Sequence, residues 1–445
     1  MSKTWWTSRF CCDLTDEEIN AKTAVDVPPL PDLRTLPVEV AKSILDPALQ
    51  KLFVPSVQTR KILRELQALC RCYSAERYPS EVAFLRNIYA NDAEHASYDP
   101  SIRVTCLTGL PGVGKSAVIL AFGRLFGTQK IDVGRHGTFE LRSTWRMTVK
   151  SGSGMRQLVA HLFRHPGSLG PKTIQFGAIQ RELCAQGVAS IHADELQFLT
   201  QGEGNALPAK LLNSLARLGP PLVYVANFSL LHRLNSRPQE EKQRLLAKPL
   251  FMNPDAPESN DWIEFLRALF RATPSFADLT PDKVGRRLWS YTFGIRRLVV
   301  ILLTEAYVAM RVRDAYRVTE RDIDTAYGAP GYAASRCDVE ILLADLTDSH
   351  RRKDLKCPLP RESSARVHGG NVVKYPATEE HQRRLAEAAV IASMTPEERQ
   401  RADIDEPPGS KKPRFPARPR ATTEDLLEGA TALLIGAKPI LDTPS

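Results

Sequence analysis

Residues 109–116 of this 445-residue chain read Gly-Leu-Pro-Gly-Val-Gly-Lys-Ser. The stretch fits the pattern G-x-x-x-x-G-K-[ST], and it stands between an apolar run at 104–108 and a helical pattern at 116–125. A glycine-rich loop between a strand and a helix is the setting in which this pattern binds phosphate groups. At average residue frequencies, the four fixed positions arise by chance in about one or two of every hundred chains of this length. The motif therefore predicts a phosphate-binding loop within an α/β fold.

Each residue type in this loop has a chemical reason. Glycines let backbone N–H groups close around phosphate oxygens, and the N-terminus of the following helix adds positive potential. Lys115 is expected to reach the β- and γ-phosphates of a nucleotide, and the Ser116 hydroxyl to bind Mg²⁺. The pattern thus predicts ATP and Mg²⁺ as cofactors. The candidate nucleotide-binding residues are Gly109, Pro111, Gly112, Val113, Gly114, Lys115, Ser116 and Ala117.

Hydrolysis of ATP also needs a metal-binding carboxylate and a base for water at the end of a neighbouring strand. Asp194 and Glu195 follow a strand candidate at 188–193. We expect Asp194 to hold Mg²⁺ and Glu195 to orient the attacking water. Ser190 and His192 alternate on one face of this strand, so we expect that face to be only partly covered. We interpret His192 as a hydrogen-bonded structural residue rather than a catalyst.

Two further residues are candidates for nucleotide contact. Asn227 ends the strand candidate 222–226, at the carboxyl edge where ligands bind in parallel sheets. In one interpretation Asn227 positions the attacking water or touches the γ-phosphate. In the other it is a helix N-cap or turn residue. Farther on, Gly294 opens a helix in a predicted second subdomain. Arg296, two residues after this glycine, is predicted to reach back to the nucleotide.

The pattern of strands and helices divides the chain into four parts. From about residue 101, short apolar runs such as 144–150 alternate with helical stretches, which is typical of a parallel sheet with helices on its faces. Beyond residue 279 only helical patterns follow, at 282–288, 294–311 and 319–327. The predicted parts are a largely helical, partner-binding N-terminal extension (1–95), an α/β nucleotide-binding core (96–278), a small helical lid (279–345) and a basic, proline-rich, partly disordered tail with a short terminal helix (346–445).

The N-terminal extension carries helical patterns at 38–52 and 57–73 but no obvious chemistry. Trp5, Trp6 and Phe10 form an aromatic group near its start. Two interpretations of this group stay open. It is either an exposed anchor that binds a partner protein or part of an N-terminal tail that docks on its own domain.

One short stretch of the tail is strongly basic, whereas the whole chain has only a modest positive charge. Lys and Arg number 60 against 51 Asp and Glu, for a net charge of +9. Five basic residues, three prolines and no acids occupy 411–420, which predicts a solvated tether. An apolar stretch at 426–435 is either a docking helix or a packed or frayed end. The net charge is therefore weak evidence for nucleic-acid binding.

Several classes of protein are disfavoured by composition. The longest apolar run, 298–303, is far short of the roughly 20 residues that span a bilayer, and residues 1–6 include a charge instead of a signal-peptide core. We expect a soluble, cytoplasmic protein without a membrane partner. The eight cysteines show no C-x-x-C pair, so neither a disulfide scaffold nor a structural zinc site is predicted.

Taken in order, the phosphate loop, the Asp-Glu pair, the strand-end Asn and the Gly-Ile-Arg lid helix resemble the AAA+ ATPases. Within that class, the chain resembles the TnsC/TniB-type ATPases of transposons, relatives of MuB. The resemblance lies in the segment 243–266, in the Gly-Ile-Arg helix with Ala306, and in the helix with the Ile-Asp pair at 323–324. The resemblance covers roughly residues 50–330. The general ATPase motifs are specific, whereas the transposon-type features are diffuse.

The resemblance implies an ATP hydrolase that forms a ring or helical filament as a homo-oligomer on double-stranded DNA, without sequence specificity. It also implies transposase subunits and a target-selector protein as partners, and an arginine finger for the neighbouring subunit's ATP. Arg244 is the candidate for this finger, with Arg237 second. For DNA contact, the basic and glycine-rich loop at 146–156 suits phosphate binding, with Lys150 and Arg156 as the candidate residues.

Two alternatives to the transposon reading remain. A helicase-loader or replication-initiator-like ATPase would be favoured by a winged-helix domain after the lid, and the pattern of 331–445 suggests none. A STAND-like signalling switch, which binds nucleotide and a protein partner but not DNA, would be favoured by repeats after the lid. No such repeats are evident in the sequence.

Overall fold

The computed structural model describes residues 5–90, 104–148, 176–196, 206–344 and 352–359, and the separate positions 383, 386, 390 and 394. The chain divides into two compact units, 1–383 and 384–445, and every element named below belongs to the first. The predicted tether at 411–420, the terminal helix at 426–435, and the loop residues Lys150 and Arg156 lie outside the described residues.

Five α-helices lie in the described part of the N-terminal region, residues 5–90. They are α1 (Trp5–Ser8), α2 (Asp16–Thr23), α3 (Val38–Gln50), α4 (Val57–Arg77) and α5 (Glu81–Tyr89). The side chains of Trp6 and Phe10 are fully buried, and the Trp6 ring stacks on Phe84 of α5 with centroids 4.9 Å apart. Of the two readings of the aromatic group, the structure thus favours docking of Trp6 and Phe10 on their own domain.

A parallel five-stranded sheet forms the centre of the fold. Its order is β4-β5-β6-β1-β7, and all of its pairings are parallel, while β2 and β3 form a separate antiparallel hairpin. In chain order the elements are β1 (Val104–Gly109), α6 (Lys115–Leu125), β2 (Thr128–Asp132), β3 (Thr138–Arg142), β4 (Thr144–Thr148), α7 (Phe176–Ala185), β5 (Ser190–Asp194), α8 (Ala206–Ala216), β6 (Leu222–Ala226), α9 (Phe228–Asn235), α10 (Gln239–Leu245) and β7 (Lys248–Met252).

Strand β7 was absent from the sequence-based prediction, and its composition explains why. Pro249 stands inside the strand, and a proline argues against a central strand because it lacks an N–H donor. In the sheet, however, β7 is an edge strand, where a missing donor is tolerated. Strand β5 also differs slightly from the expected 188–193, since it begins at Ser190 and continues through Asp194.

The face of β5 that carries Ser190 and His192 is completely buried, so the expectation of partial cover was wrong. Both residues are 1% exposed. The thiol of Cys70 in α4 hydrogen-bonds to Ser190, and the Phe122 ring of α6 lies 5.5 Å from the His192 ring. A helix of the N-terminal region supplies this cover, and a strand pattern by itself does not reveal such a neighbour.

His192 is a structural residue, as expected. Its Nε2 and the Ser190 hydroxyl are hydrogen-bonded at 3.0 Å. Burial, helped by the positive charge of Arg146, lowers the pKa of His192 to about 3. The ring is therefore neutral at physiological pH.

Five helices follow the sheet and form the lid: α11 (Asn260–Phe270), α12 (Pro281–Thr292), α13 (Arg296–Val312), α14 (Glu320–Gly328) and α15 (Ala333–Leu343). The buried side chains of α11 to α14 form a hydrophobic cluster that is distinct from the cluster around the sheet, whereas Ile341 and Leu342 of α15 pack against the sheet cluster. Helix α3 belongs to the lid cluster and α4 to the sheet cluster, so the N-terminal region is shared between the two. None of the described helices is long and apolar enough to cross a membrane.

Candidate nucleotide-binding site

The phosphate loop connects β1 to α6 and lies beside a cavity of about 330 Å³. Because the residues from Pro111 to Ala117 line this cavity, the structure places all but one of the candidate nucleotide-binding residues on its wall, the exception being Gly109 at the end of β1. Helix α6 begins at Lys115, so its N-terminal N–H groups point toward the cavity. This arrangement gives an anion-binding helix terminus at the carboxyl edge of the sheet.

Lys115 is a buried cation that donates to carbonyl oxygens. Its side chain is 6% exposed, and its Nζ donates to the backbone oxygens of Gly109 at 2.9 Å and Leu110 at 2.7 Å. Burial lowers the pKa of Lys115 to about 8, with Arg297 adding to the shift and the negative charge of Asp194 opposing it. The ammonium group thus lies in the cavity wall with acceptors that phosphate oxygens could replace.

The predicted acidic pair lies at the end of β5. Asp194 is 3% exposed, and its Oδ1 accepts a hydrogen bond of 2.9 Å from the Glu195 backbone N–H. Glu195 has a left-handed backbone, with φ of +61°, which costs a non-glycine residue about 1–3 kcal/mol. Both residues line the same cavity as the phosphate loop. Strained backbone at such a position is common where a side chain must be aimed at a ligand.

Asn227 lies at the end of β6, between the phosphate-loop strand β1 and the acidic strand β5. It occupies the N-cap position of α9, but its side chain makes no capping hydrogen bond. The residue lines the same cavity as Lys115 and Asp194. Of its two readings, the position fits an N-cap, whereas the side chain remains available to a ligand.

The structure distinguishes two adjacent arginines at the start of α13. Arg296, the predicted nucleotide contact, is 13% exposed and forms an ion pair with Asp255, with Nε 2.7 Å from Oδ2. Arg297 is exposed, lines the cavity, and makes no side-chain hydrogen bond or ion pair within the described part of the chain. Although Arg296 also borders the cavity, its guanidinium group is engaged elsewhere. The contact of Arg296 with nucleotide therefore stays a prediction, and Arg297 is a second candidate on the same helix.

The two arginine-finger candidates also differ in their surroundings. Arg237 pairs with Glu241 one helical turn away, with Nε 2.8 Å from Oε2. Arg244 lies on α10, is exposed, and has no hydrogen bond or ion pair to any described residue. Arg244 is thus the more available of the two for contact with another subunit.

One side of the cavity is apolar and comes from a region to which the sequence assigned no chemistry. Leu49 and Gln50 of α3, and Leu52 and Phe53 after it, line the cavity together with Phe265 of the lid. An apolar wall next to a phosphate site is suitable for a nucleotide base. The apolar run at 52–55, too short for a helix and ending in proline, was the available signal in the sequence.

Comparisons with known proteins give distant likenesses in structure only. No family model matches the chain. No curated protein matches it. The chain is similar to the ORC2 protein of Aeropyrum pernix, at 11% identity and a TM-score of 0.37, over 59% of this chain and 66% of that one. It is similar to Cdc6p from Pyrobaculum aerophilum, at 12% identity and a TM-score of 0.35, over 55% and 65%.

A third likeness is to the Thermotoga maritima RuvB Holliday junction branch migration motor, at 13% identity and a TM-score of 0.31, over 61% of this chain and 79% of that one. The chain spans slightly less than two thirds of the first two structures. The fold itself is defined by the chain's own geometry: the strand order, the phosphate loop after β1, the acidic pair at the end of β5 and the helical lid. These features are those of an α/β phosphate-loop nucleotide-binding fold with a helical lid.

Proposed function

We propose that this protein is a Mg²⁺-dependent AAA+ ATPase. The observation that carries the proposal is the arrangement of Lys115, Asp194, Glu195 and Asn227 around one cavity. These residues come from different elements of the chain, and they supply a cation, two carboxylates and an amide. Phosphoryl transfer to water requires this set of groups.

The residues around the cavity fit nucleotide and metal. The two carbonyl acceptors of the Lys115 ammonium lie where nucleotide phosphates would replace them. The Ser116 hydroxyl and the Asp194 carboxylate both border the cavity, and oxygen ligands of this kind suit Mg²⁺. When bound, Mg²⁺ would neutralise charge on the phosphate oxygens.

The remaining roles follow from chemistry and position. Glu195 would orient the attacking water, and Asn227 would hold that water or a γ-phosphate oxygen. Arg297 would contact the phosphates from the lid, because its side chain borders the cavity without another anionic partner among the described residues. Leu52 and Phe53 would cover one face of the base.

Nucleotide binding is tested with Lys115→Ala and a matched control. Lys61→Ala removes an exposed lysine of α4 that lies away from the cavity. We expect Lys115→Ala to weaken the binding of a fluorescent ATP analogue by at least about a hundredfold, since a charge-assisted contact is lost. Lys61→Ala should bind as the wild type does. Equal affinity in the two variants would remove the phosphate-loop assignment.

We propose further that the ATP-bound protein assembles as a ring or helical filament on double-stranded DNA and links a target selector to a transposase. The sequence resemblance to TnsC/TniB-type ATPases supports this role, and the exposed Arg244 suits a contact with the neighbouring subunit's nucleotide. Hydrolysis would then end the assembly. DNA binding through phosphates would be independent of sequence and would weaken steeply with salt.

Electron microscopy of the protein with duplex DNA tests the assembly. We expect rings or filaments on DNA with a non-hydrolysable ATP analogue and none with ADP. Arg244→Ala should bind the analogue normally but form fewer assemblies, whereas Lys61→Ala, at an exposed lysine of α4, is the control and should assemble as the wild type does. A DNA-free monomer in both nucleotide states would contradict the transposition role while leaving nucleotide binding intact.

A further inference from the structure

The chain passes between the sheet and the lid at two places next to the cavity. Helix α3 packs in the lid cluster, where Lys42 pairs with Glu305 of α13 at 2.7 Å, and α4 packs against the sheet. The connection at 51–56 is therefore a first crossing. Strand β7 belongs to the sheet and α11 to the lid, so the connection at 253–259 is a second crossing.

Arg296 joins both crossings. Its Nη1 donates to the backbone oxygen of Val54 in the first crossing at 2.6 Å. Its Nε and Nη2 donate to the Asp255 carboxylate in the second crossing, at 2.7 and 3.3 Å. The guanidinium carbon also lies 4.9 Å from the centroid of the Phe265 ring in α11. A planar guanidinium group with several donors can hold such a set of partners together, whereas a lysine ammonium cannot reproduce its fork.

The lid also makes two hydrogen bonds to the backbone of Asp255. The Asp255 N–H donates to the Gly294 oxygen at 3.2 Å, and the Trp289 indole N–H donates to the Asp255 oxygen at 2.8 Å. Asp255 is 11% exposed, so its carboxylate is largely shielded from solvent. The second crossing is thus fixed to the lid both by side-chain and by backbone contacts.

Residues next to these contacts border the nucleotide cavity. Leu52 and Phe53 of the first crossing line it. Arg297, the residue after Arg296, borders the cavity, and its backbone N–H donates to the Gly112 oxygen of the phosphate loop at 3.2 Å. Neighbouring residues of one helical turn therefore contact the phosphate loop and both crossings. A shift of α13 relative to the loop would move Arg296 and its partners as well.

We propose that Arg296 and Asp255 form a clamp that transmits the nucleotide state of the cavity to the first crossing and to α3, an inference that rests on the proposed binding of ATP. Arg296 is then a positioning residue that acts through Val54 and Asp255, and Arg297 is the nucleotide contact. The clamp gives the N-terminal region a physical means to respond to ATP, because α3 is attached to the lid and α4 to the sheet.

Hydrogen exchange of the full-length protein tests the clamp, with amide exchange followed by mass spectrometry at the phosphate loop (109–116) and at both crossings. In the wild type, a saturating non-hydrolysable ATP analogue should slow exchange at all three by on the order of tenfold, the usual range of such coupling. Arg296→Gln and Asp255→Asn should retain protection of the loop but lose it at both crossings. Arg313→Gln, which breaks a 2.7 Å ion pair with Asp322 inside the lid, should behave as the wild type.

A conservative variant separates the two arms of the clamp. Arg296→Lys keeps a positive charge for Asp255 but not the forked donors, so protection should return at the second crossing and stay absent at the first. Protection at 51–56 in Arg296→Gln equal to that of the wild type would overturn the clamp.

The proposed ATP binding can fail separately. No protection of the loop at 109–116 in the wild type would remove the ATP proposal. The contacts of Arg296 with Val54 and Asp255 can still be tested without nucleotide. Arg296→Gln should then speed amide exchange at both crossings more than Arg313→Gln does. Equal exchange in these two variants would overturn the contact itself.

Discussion

Substitution of Gly294 by alanine is a direct test of how the lid is joined to the second crossing. Gly294 has φ of +68°, a left-handed backbone that costs an alanine about 1–2 kcal/mol. An added Cβ would lie in hard contact with the Asp255 carbonyl oxygen and 2.9 Å from the Trp289 indole nitrogen. Relief of this contact would break the 2.8 Å hydrogen bond between these two residues, worth about 1 kcal/mol. Gly294→Ala should therefore lower the free energy of unfolding by about 2–4 kcal/mol.

Urea denaturation followed by tryptophan fluorescence measures this change, and Gly328→Ala is the matched control. Gly328 lies at the end of α14, has no atom within 4 Å of an added Cβ, and does not have a left-handed backbone. Alanine there should change the unfolding free energy by less than about 1 kcal/mol, in the stabilising direction. A Gly294→Ala variant as stable as the control would refute the described packing of the lid against Asp255.

Three further predictions concern the cavity and the buried strand. Glu195→Gln should retain ATP binding and lower turnover by about 10²–10⁴-fold, because a general base is lost, and unchanged turnover would remove Glu195 from the mechanism. Above pH of about 8, where Lys115 loses its proton in the nucleotide-free protein, ATP affinity should fall about tenfold per pH unit until the range of an ordinary lysine is reached, as measured by titration calorimetry. An affinity that is flat across this range would show that the Lys115 charge does not contribute. The pKa of His192 is lowered from 6.5 to about 3 in the folded protein. Between pH 6.5 and pH 3 the imidazole is therefore protonated in the unfolded chain but not in the folded one. The free energy of unfolding should fall by about 1.4 kcal/mol for each pH unit in that range. His192→Gln should make this acid-dependent loss shallower, and an equal slope in wild type and variant would contradict the assignment.

The elements around the phosphate loop follow from local sequence. The strand at 222–226 has its predicted bounds, and the loop lies between a strand and a helix as its motif requires. A loop of this kind is formed by contiguous residues, so its glycines and its flanking elements can be read together. Asp194, Glu195 and Asn227 meet at the same edge because the carboxyl ends of parallel strands share that edge.

The adjacent arginines show where local pattern is insufficient. Arg296 and Arg297 are equivalent in type and differ by one position on a helix. Both border the cavity, but only Asp255, 41 residues away in the chain, makes Arg296 an internal ion pair and leaves Arg297 without one among the described residues. A partner at that distance cannot be identified from the spacing of residues near the helix start.

The N-terminal region shows the same limit on a larger scale. Its helical periodicity is visible in the sequence, but periodicity does not state which surface a helix will cover. The structure divides this region between two hydrophobic clusters, brings Cys70 of α4 against Ser190 and places Phe53 against the cavity. These contacts arise from apolar surfaces that meet only when distant segments pack together.

By itself, the sequence determined the α/β class, the phosphate loop and the strand ends at which its chemical groups gather, because these depend on contiguous residues and on the regular geometry of parallel strands. Tertiary structure alone decided that β7 completes the sheet, that Arg296 binds Asp255 and Val54, and that the N-terminal region forms one wall of the cavity. The physical reason is that burial and ion pairing depend on which surfaces come into contact, and those surfaces lie far apart along the chain.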